Sequence, residues 1–139
     1  MTATARPTAP TPPNSSTRAP RFEQAELLVA ADQGDGQLLG CVTFAAGGTP
    51  FADIAGPHEG EIRMLAVSGA ARGRGVGELL VRAAMARSRE LGLTGMAFST
   101  RSSMTAAHRL YERLGFARTP ERDWEVRPGV VLLTYGLTF

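Results

Sequence analysis

The chain has 139 residues, of which 43% are hydrophobic, and carries a formal net charge of +2 with no lysine among its 15 basic residues. This size suits one domain with one core, and the weak, evenly spread charge supplies no basic face for nucleic acid. No apolar run approaches the roughly 18–20 residues that span a bilayer, and the single Cys41 fits a reducing compartment. We predict a cytoplasmic protein that binds neither nucleic acid nor membrane.

The first 20 residues differ in composition from the rest. They hold five prolines among threonine, serine and alanine, and no acidic residue. Such a segment buries too little apolar surface to offset the entropy lost on ordering, and it lacks the apolar stretch of a secretory signal. We predict a disordered tail over residues 1–20 and one folded domain over residues 21–139.

From residue 25 onward, short apolar runs alternate with polar turns. The runs at 25–31 and 37–44 flank a loop containing Asp35 and Gly36, a pair that favours a β-hairpin. A connection rich in glycine and proline then delays the third predicted strand, which covers residues 61–67. Long connections of this kind often carry function.

A glycine-rich turn separates this strand from the first predicted helix, residues 78–91, whose apolar positions recur at spacings of three and four. The turn consists of Arg72, Gly73, Arg74, Gly75, Val76 and Gly77. Glycines let the backbone N–H groups point outward, and these donors together with the helix dipole attract phosphate. The turn is therefore a predicted anion-binding site.

Two familiar phosphate loops do not fit this turn. A Walker loop needs a lysine after its last glycine to reach the terminal phosphates, and this chain has none. A dinucleotide-binding loop needs a third glycine where this chain has Glu78, and an acidic residue after the next strand to bind the ribose. These observations exclude both nucleotide classes.

The remaining elements are a strand at 95–100, a second helix that ends at Gly115, and a strand at 130–135 preceded by a polar loop at 122–124. Ser103 and Thr105 are alternative N-caps for the second helix. Its apolar stripe includes Leu110 and Tyr111. The order β-β-β-α-β-α-β predicts an α+β, or mixed α/β, fold.

Two motifs in this order resemble those of the GNAT superfamily of acetyl-CoA-dependent N-acetyltransferases. The first is the spacing Arg72-x-x-Gly75-x-Gly77, which resembles the pyrophosphate-binding motif of that family. The second is Tyr111 followed by Gly115 and Phe116, which is similar to the late family motif. The resemblance covers the chain from about residue 25 to its end.

The resemblance implies a central, mostly antiparallel sheet with a splayed parallel strand pair and packed helices. Family members usually begin with a strand and one or two helices that help shape the acceptor pocket, and these elements have no counterpart before residue 25. We therefore expect an N-terminally shortened member without the usual first strand and helices. An apolar sheet face left uncovered in this way favours self-association into a homodimer.

The resemblance also implies that acetyl-CoA is the co-substrate and that no metal takes part. Its pantetheine arm is expected beside main-chain groups of Leu65, Ala66 and Val67. Its pyrophosphate is expected on the N–H groups of residues 72–78, with a charge-assisted contact from Arg74. The implied pyrophosphate site consists of Arg72, Gly73, Arg74, Gly75, Val76, Gly77 and Glu78. Met104 stands where the family often has an asparagine that contacts CoA, so we expect Ser103 or a neighbour to make a polar contact there.

Two residues are expected to carry the chemistry. An alkyl amine is almost fully protonated at neutral pH, so a base must accept its proton, and Glu61 opens the strand on which the family often carries that base. A solvated carboxylate is the alternative for Glu61, with Glu59 and then His58 as reserve bases. Tyr111 occupies the family position of the acid that protonates the departing thiolate, and a core aromatic is the alternative for it.

The sequence thus predicts transfer of an acetyl group from acetyl-CoA to a primary amine by direct attack. The acceptor is a small molecule or a peptide that the sequence does not identify. A different class of function stays open, because a chain shortened in its acceptor half fits an acetyl-CoA-binding module that acts through a partner without catalysis.

Overall fold

The computed structural model describes residues 25–50 and 52–139, together with the backbone of residues 3–8. Within these residues the chain forms eight strands and two α-helices. The strands are β1 (Ala3–Thr8), β2 (Ala25–Asp32), β3 (Leu38–Ala46), β4 (Glu59–Val67), β5 (Gly95–Arg101), β6 (Ala117–Arg118), β7 (Trp124–Arg127) and β8 (Val130–Thr138). The helices are α1 (Val76–Glu90) and α2 (Thr105–Arg113).

All of the strands belong to one sheet, in the order β1-β2-β3-β4-β5-β8-β6, with β7 also paired to β8. Only β4 and β5 run parallel in this described sheet; the other neighbours are antiparallel. The chain crosses from β4 to β5 through α1, as a parallel pair requires. The predicted α+β fold with one parallel strand pair is confirmed.

The sheet begins earlier than the sequence suggested. The backbone of β1 pairs antiparallel with β2, from Ala3 opposite Asp32 to Thr8 opposite Leu27. The expectations of a disordered start and of a missing first strand are therefore wrong for residues 3–8. An edge strand tolerates Pro7, because an edge residue need not donate its N–H to a neighbour. The rest of the predicted tail, and the place where the missing helices were expected, lie outside the described residues.

Both helices pack on the same face of the sheet. Leu80 and Ala84 of α1 are fully buried, and Tyr111 of α2 packs its ring 3.8 Å from that of Phe98 on β5, measured between centroids. One contiguous cluster of buried apolar residues runs from Leu28 to Tyr135. A single core therefore fixes the strands and the helices that flank the glycine turn. None of the described helices is long and apolar enough to cross a membrane.

Element ends differ in detail from the sequence prediction. Helix α1 begins at Val76 rather than residue 78, because Gly75 adopts φ 80° and serves as its N-cap. Met104 is the N-cap of α2, and no side chain caps that helix, so the prediction of Ser103 or Thr105 is wrong. The predicted polar loop at 122–124 contains the end of a 3₁₀ turn and the start of β7.

Candidate active site

Strands β4 and β5 pair along only part of their length. Their parallel pairing runs from Glu59 opposite Gly95 to Ile62 opposite Phe98, after which the strands diverge. The register of β3 against β4 shifts at the same level, so that Arg63 is an extra residue in β4. Beyond Ile62, the described residues supply no strand on the β5 side of β4. This divergence leaves main-chain groups of β4 available to an extended ligand.

The glycine turn lies close to this opening. Gly73 and Gly75 have φ values of 77° and 80°, a left-handed conformation that side chains with a Cβ adopt at a cost. The first hydrogen bond of α1 runs from the Leu79 N–H to the Gly75 carbonyl. The amides of Val76, Gly77 and Glu78 therefore have no helical acceptor, and these donors are what a phosphate group needs.

A groove of about 740 Å³ connects the turn to the edge of β4. Its wall contains most of the residues predicted to bind the co-substrate: Leu65, Ala66, Val67, Arg72, Gly73, Gly75, Val76, Gly77 and Ser103. The opposite wall is α2, which contributes Ala107 and Leu110. Residues far apart in sequence are thus brought together into one long cleft.

Two predicted co-substrate residues do not line this groove. The Arg74 guanidinium instead faces Asp32, with Nη2 3.5 Å from Oδ2. The Glu78 carboxylate accepts hydrogen bonds from Arg82 at 2.9 Å and from Arg113 at 3.3 Å, and these bonds hold the pKa of Glu78 below its usual range. The Glu78 side chain therefore links α1 to α2 beside the groove.

Tyr111 does not line the groove itself. It lines a second cavity, of about 490 Å³, which shares Leu65 and Met104 with the groove. The Tyr111 side chain is 5% exposed, and burial raises the pKa of its phenol from its ordinary value of 10.0 to about 12. Tyr111 is therefore a core aromatic that also borders the cavity, and its catalytic role stays a prediction.

Glu61 is buried rather than solvated, with 2% of its surface exposed, so the solvated alternative is wrong. Its Oε1 atom accepts hydrogen bonds from the backbone N–H groups of Asp53, Ile54 and Ala55 at 2.8–2.9 Å. Its Oε2 atom lies 3.9 Å from Nε of Arg63. Burial raises the pKa of Glu61, and the bonds to Ile54 and Ala55 oppose this shift. Oε1 of Glu61 therefore holds loop 53–55 in place, whereas Oε2 faces Arg63.

The reserve bases lie elsewhere. Glu59 forms an ion pair with Arg122 at 3.0 Å, accepts the Gly56 N–H, and lines a separate cavity beside β6 and β8. His58 is exposed in the turn before β4. Neither residue lines the groove or the Tyr111 cavity, and Glu61 does not line them either.

A third, smaller cavity of about 190 Å³ contains Glu61 together with Asp53 and Trp124. It shares Arg63 and Ser99 with the Tyr111 cavity. Sequence reasoning missed Asp53, Arg63 and Trp124. The chain's one tryptophan in a polar segment was a usable signal for the last of them.

At the opening between β4 and β5, neighbouring residues of each strand face opposite sides of the sheet. A Cβ at Gly60 would meet Ser88 of α1, whereas its neighbour Glu61 contacts loop 53–55. Phe98 contacts Tyr111 of α2, whereas its neighbour Ser99 accepts a hydrogen bond from Trp124. The helix face thus carries the groove and Tyr111, and the other face carries Glu61 and the small cavity.

The site thus combines a glycine turn at a helix start, a diverging parallel strand pair and a cleft between them. The chain matches the model of the Acetyltransferase (GNAT) family over residues 3–116 and belongs to that family. It is similar to a mycothiol acetyltransferase of Cellulomonas flavigena, with 39% identity over 102 residues. That match covers 72% of this chain and 29% of the relative, so the chain spans less than a third of its length.

Solved structures share the fold. An IAA acetyltransferase from Bacillus cereus superposes with a TM-score of 0.72 at 18% identity, covering 99% of this chain and 100% of that one. A Bacillus subtilis acetyltransferase in complex with CoA gives a TM-score of 0.71 at 18% identity, covering 99% of both chains. The chain therefore shares the fold of these structures over nearly its whole length.

Proposed function

We propose that this protein transfers an acetyl group from acetyl-CoA to a primary amine by direct attack. The observation that carries the proposal is the opening between β4 and β5, which has Tyr111 on one face of the sheet and Glu61 on the other. A thioester and an amine seated on opposite faces meet at the point where the strands diverge. Family membership supports acetyl-CoA as the donor.

The groove binds the donor mainly through its backbone. The pyrophosphate lies on the free amides at the start of α1, where the helix dipole adds to their attraction. The pantetheine arm extends along β4 past Val67, Ala66 and Leu65 and places the thioester beside Tyr111. Donor affinity therefore depends on the geometry of the turn more than on any one side chain.

Glu61 acts as the general base in this scheme. The acceptor arrives as an ammonium ion, and Oε2 of Glu61 takes one proton from it, directly or through a water molecule. The raised pKa of Glu61 makes the carboxylate a better proton acceptor than an exposed one. The proton then passes to solvent, and the neutral nitrogen attacks the carbonyl carbon of the thioester.

Tyr111 acts at the sulfur in the second half of the reaction. As the tetrahedral intermediate collapses, the C–S bond breaks and the CoA thiolate takes the phenolic proton. A free tyrosinate is costly where the pKa is about 12, so the phenol regains a proton as the nitrogen gives up its second one. The net products are the N-acetylated amine, CoA thiol and one released proton.

Consumption of acetyl-CoA with a panel of amines tests this function. Turnover with at least one amine is expected, and Tyr111→Phe should slow it while leaving the fold intact. Saturable CoA binding without transfer to any amine would refute the enzymatic proposal and favour a binding module. We place the reaction in the cytoplasm, in keeping with the single Cys41; the homodimer expected from the sequence stays a prediction that light scattering tests.

A further inference from the structure

Glu61 is accompanied by a second carboxylate and an aromatic wall on its face of the sheet. The 190 Å³ cavity holds Asp53 and Glu61 on one side, and Trp124 with Val126 and Leu132 on the other. A volume of about 190 Å³ is several times the roughly 30 Å³ that one water molecule occupies in the liquid, so the cavity can admit the ammonium group of a short alkylamine with its first carbons.

The described lining of this cavity carries more negative than positive charge. Among its described lining residues, two are acidic and one, Arg63, is basic. Nη2 of Arg63 lies 3.1 Å from Oδ2 of Asp53, and its Nε lies 3.9 Å from Oε2 of Glu61. One guanidinium is thus shared by two carboxylates, and the excess negative charge attracts an ammonium group and repels a carboxylate.

Trp124 is held in a fixed position at the mouth of the opening. Its Nε1–H donates a hydrogen bond of 2.9 Å to Oγ of Ser99, the first β5 residue beyond the paired segment. The ring is half-buried and borders the cavity. A fixed aromatic wall gives an ammonium-bearing carbon chain both apolar contact and a favourable ring quadrupole.

We propose that the acceptor is a compact amine whose ammonium group has no neighbouring carboxylate, and that Asp53, Glu61 and Trp124 form its binding slot. This inference rests on the proposed function for its chemistry and adds the class of acceptor. Asp53 and Trp124 position and select the acceptor, whereas Glu61 also takes its proton. Free amino acids should bind more weakly than such amines, because their carboxylate would face Asp53 and Glu61.

The test measures acceptor binding without relying on transfer. Trp124 is the only tryptophan of the chain, so its fluorescence reports occupancy of the slot directly. The protein is saturated with CoA and titrated with three ligands that share one carbon skeleton. These are 3-methylbutylamine, leucinamide and leucine, which differ in having no group, a neutral amide or a carboxylate beside the amine.

We expect saturable fluorescence changes with 3-methylbutylamine and with leucinamide, and a dissociation constant for leucine at least about tenfold higher. Asp53→Asn should weaken the binding of 3-methylbutylamine and reduce the ratio between the dissociation constants of leucine and 3-methylbutylamine. Asp35→Asn is the matched control, since it removes the same charge from a loop remote from the slot and should change neither value. Equal affinity for leucine, no saturable change with any of the three ligands, or identical behaviour of the two variants overturns the inference.

Acetyl transfer to the same three compounds separates this inference from the proposed function. If the amines bind as expected but no acetylated product forms, the inferred binding slot is supported and the enzymatic proposal is refuted. If acetylation proceeds readily with leucine, the enzyme stands and the inferred acceptor class is wrong.

Discussion

Replacing Glu61 by glutamine or by alanine separates its two tasks. Glutamine keeps an oxygen that can accept the N–H groups of Asp53, Ile54 and Ala55, but it cannot take a proton. Alanine removes both the oxygen and the base. The two variants should therefore share a catalytic defect and differ in stability.

The expected losses of kcat and of folding stability can be estimated from the contacts of Glu61. Loss of a general base lowers kcat by about 10²- to 10⁴-fold, or roughly 3 to 5 kcal/mol of barrier. Removing the acceptor of three amides leaves donors without a partner, each at a cost of about 1–3 kcal/mol where it stays dry. Glu61→Ala should thus be several kcal/mol less stable, whereas Glu61→Gln should lose less because its bonds are weakened and not removed.

Steady-state kinetics with acetyl-CoA and a turned-over amine measure the first effect, and thermal or urea unfolding measures the second. Wild-type kcat in Glu61→Gln would refute the assignment of the base. Equal stability of the alanine variant and the wild-type protein would show that the hydrogen bonds to loop 53–55 contribute nothing measurable to folding.

Five further outcomes are expected. Tyr111→Phe should lower kcat by about 10²-fold, with unchanged unfolding because the ring still packs on Phe98; an unaltered kcat would remove Tyr111 from the mechanism. Gly75→Ala should destabilise the fold by about 1–2 kcal/mol and raise the KM for acetyl-CoA because φ is 80°, whereas Arg74→Ala should leave that KM within about threefold, as expected of an exposed ion pair; urea unfolding checks the stability, and steady-state kinetics with varied acetyl-CoA check both KM values. Ser88→Ala should stabilise the fold by about 1 kcal/mol, since the buried Ser88 hydroxyl has no partner among the described residues, and a lower melting temperature would contradict this. The acid limb of kcat/KM should lie above pH 4.5, because only ionised Glu61 accepts a proton and burial raises its pKa; a limb at or below that pH would contradict the assignment.

The sequence predicted β2, β3, β4, α1, β5, α2 and β8 in their correct order because their signals are local, but it did not predict the short strands β6 and β7. Apolar spacing of three and four identifies α1, and Gly73 and Gly75 identify the turn, since left-handed backbone there favours glycine. The start of α1 was misplaced by two residues because Val76 and Gly77 belong to both the turn and the helix.

The acceptor face could not be read in the same way, because its features depend on contacts between distant residues. The burial of Glu61 follows from amides of loop 53–55, which no side-chain pattern identifies. The short strand β7 has mostly exposed side chains and is held by its pairing to β8, so it lacks an apolar alternation. Trp124 gains its position only through Ser99 on another strand.

The divergence of β4 and β5 has a kinetic consequence. Because the donor groove opens on the helix face and the small cavity opens on the other, occupancy of one entrance does not block the other. In the proposed mechanism both substrates can therefore be bound at once, and initial-rate lines at several fixed amine concentrations should intersect rather than run parallel. The sheet would then separate the two substrates everywhere except where β4 and β5 diverge.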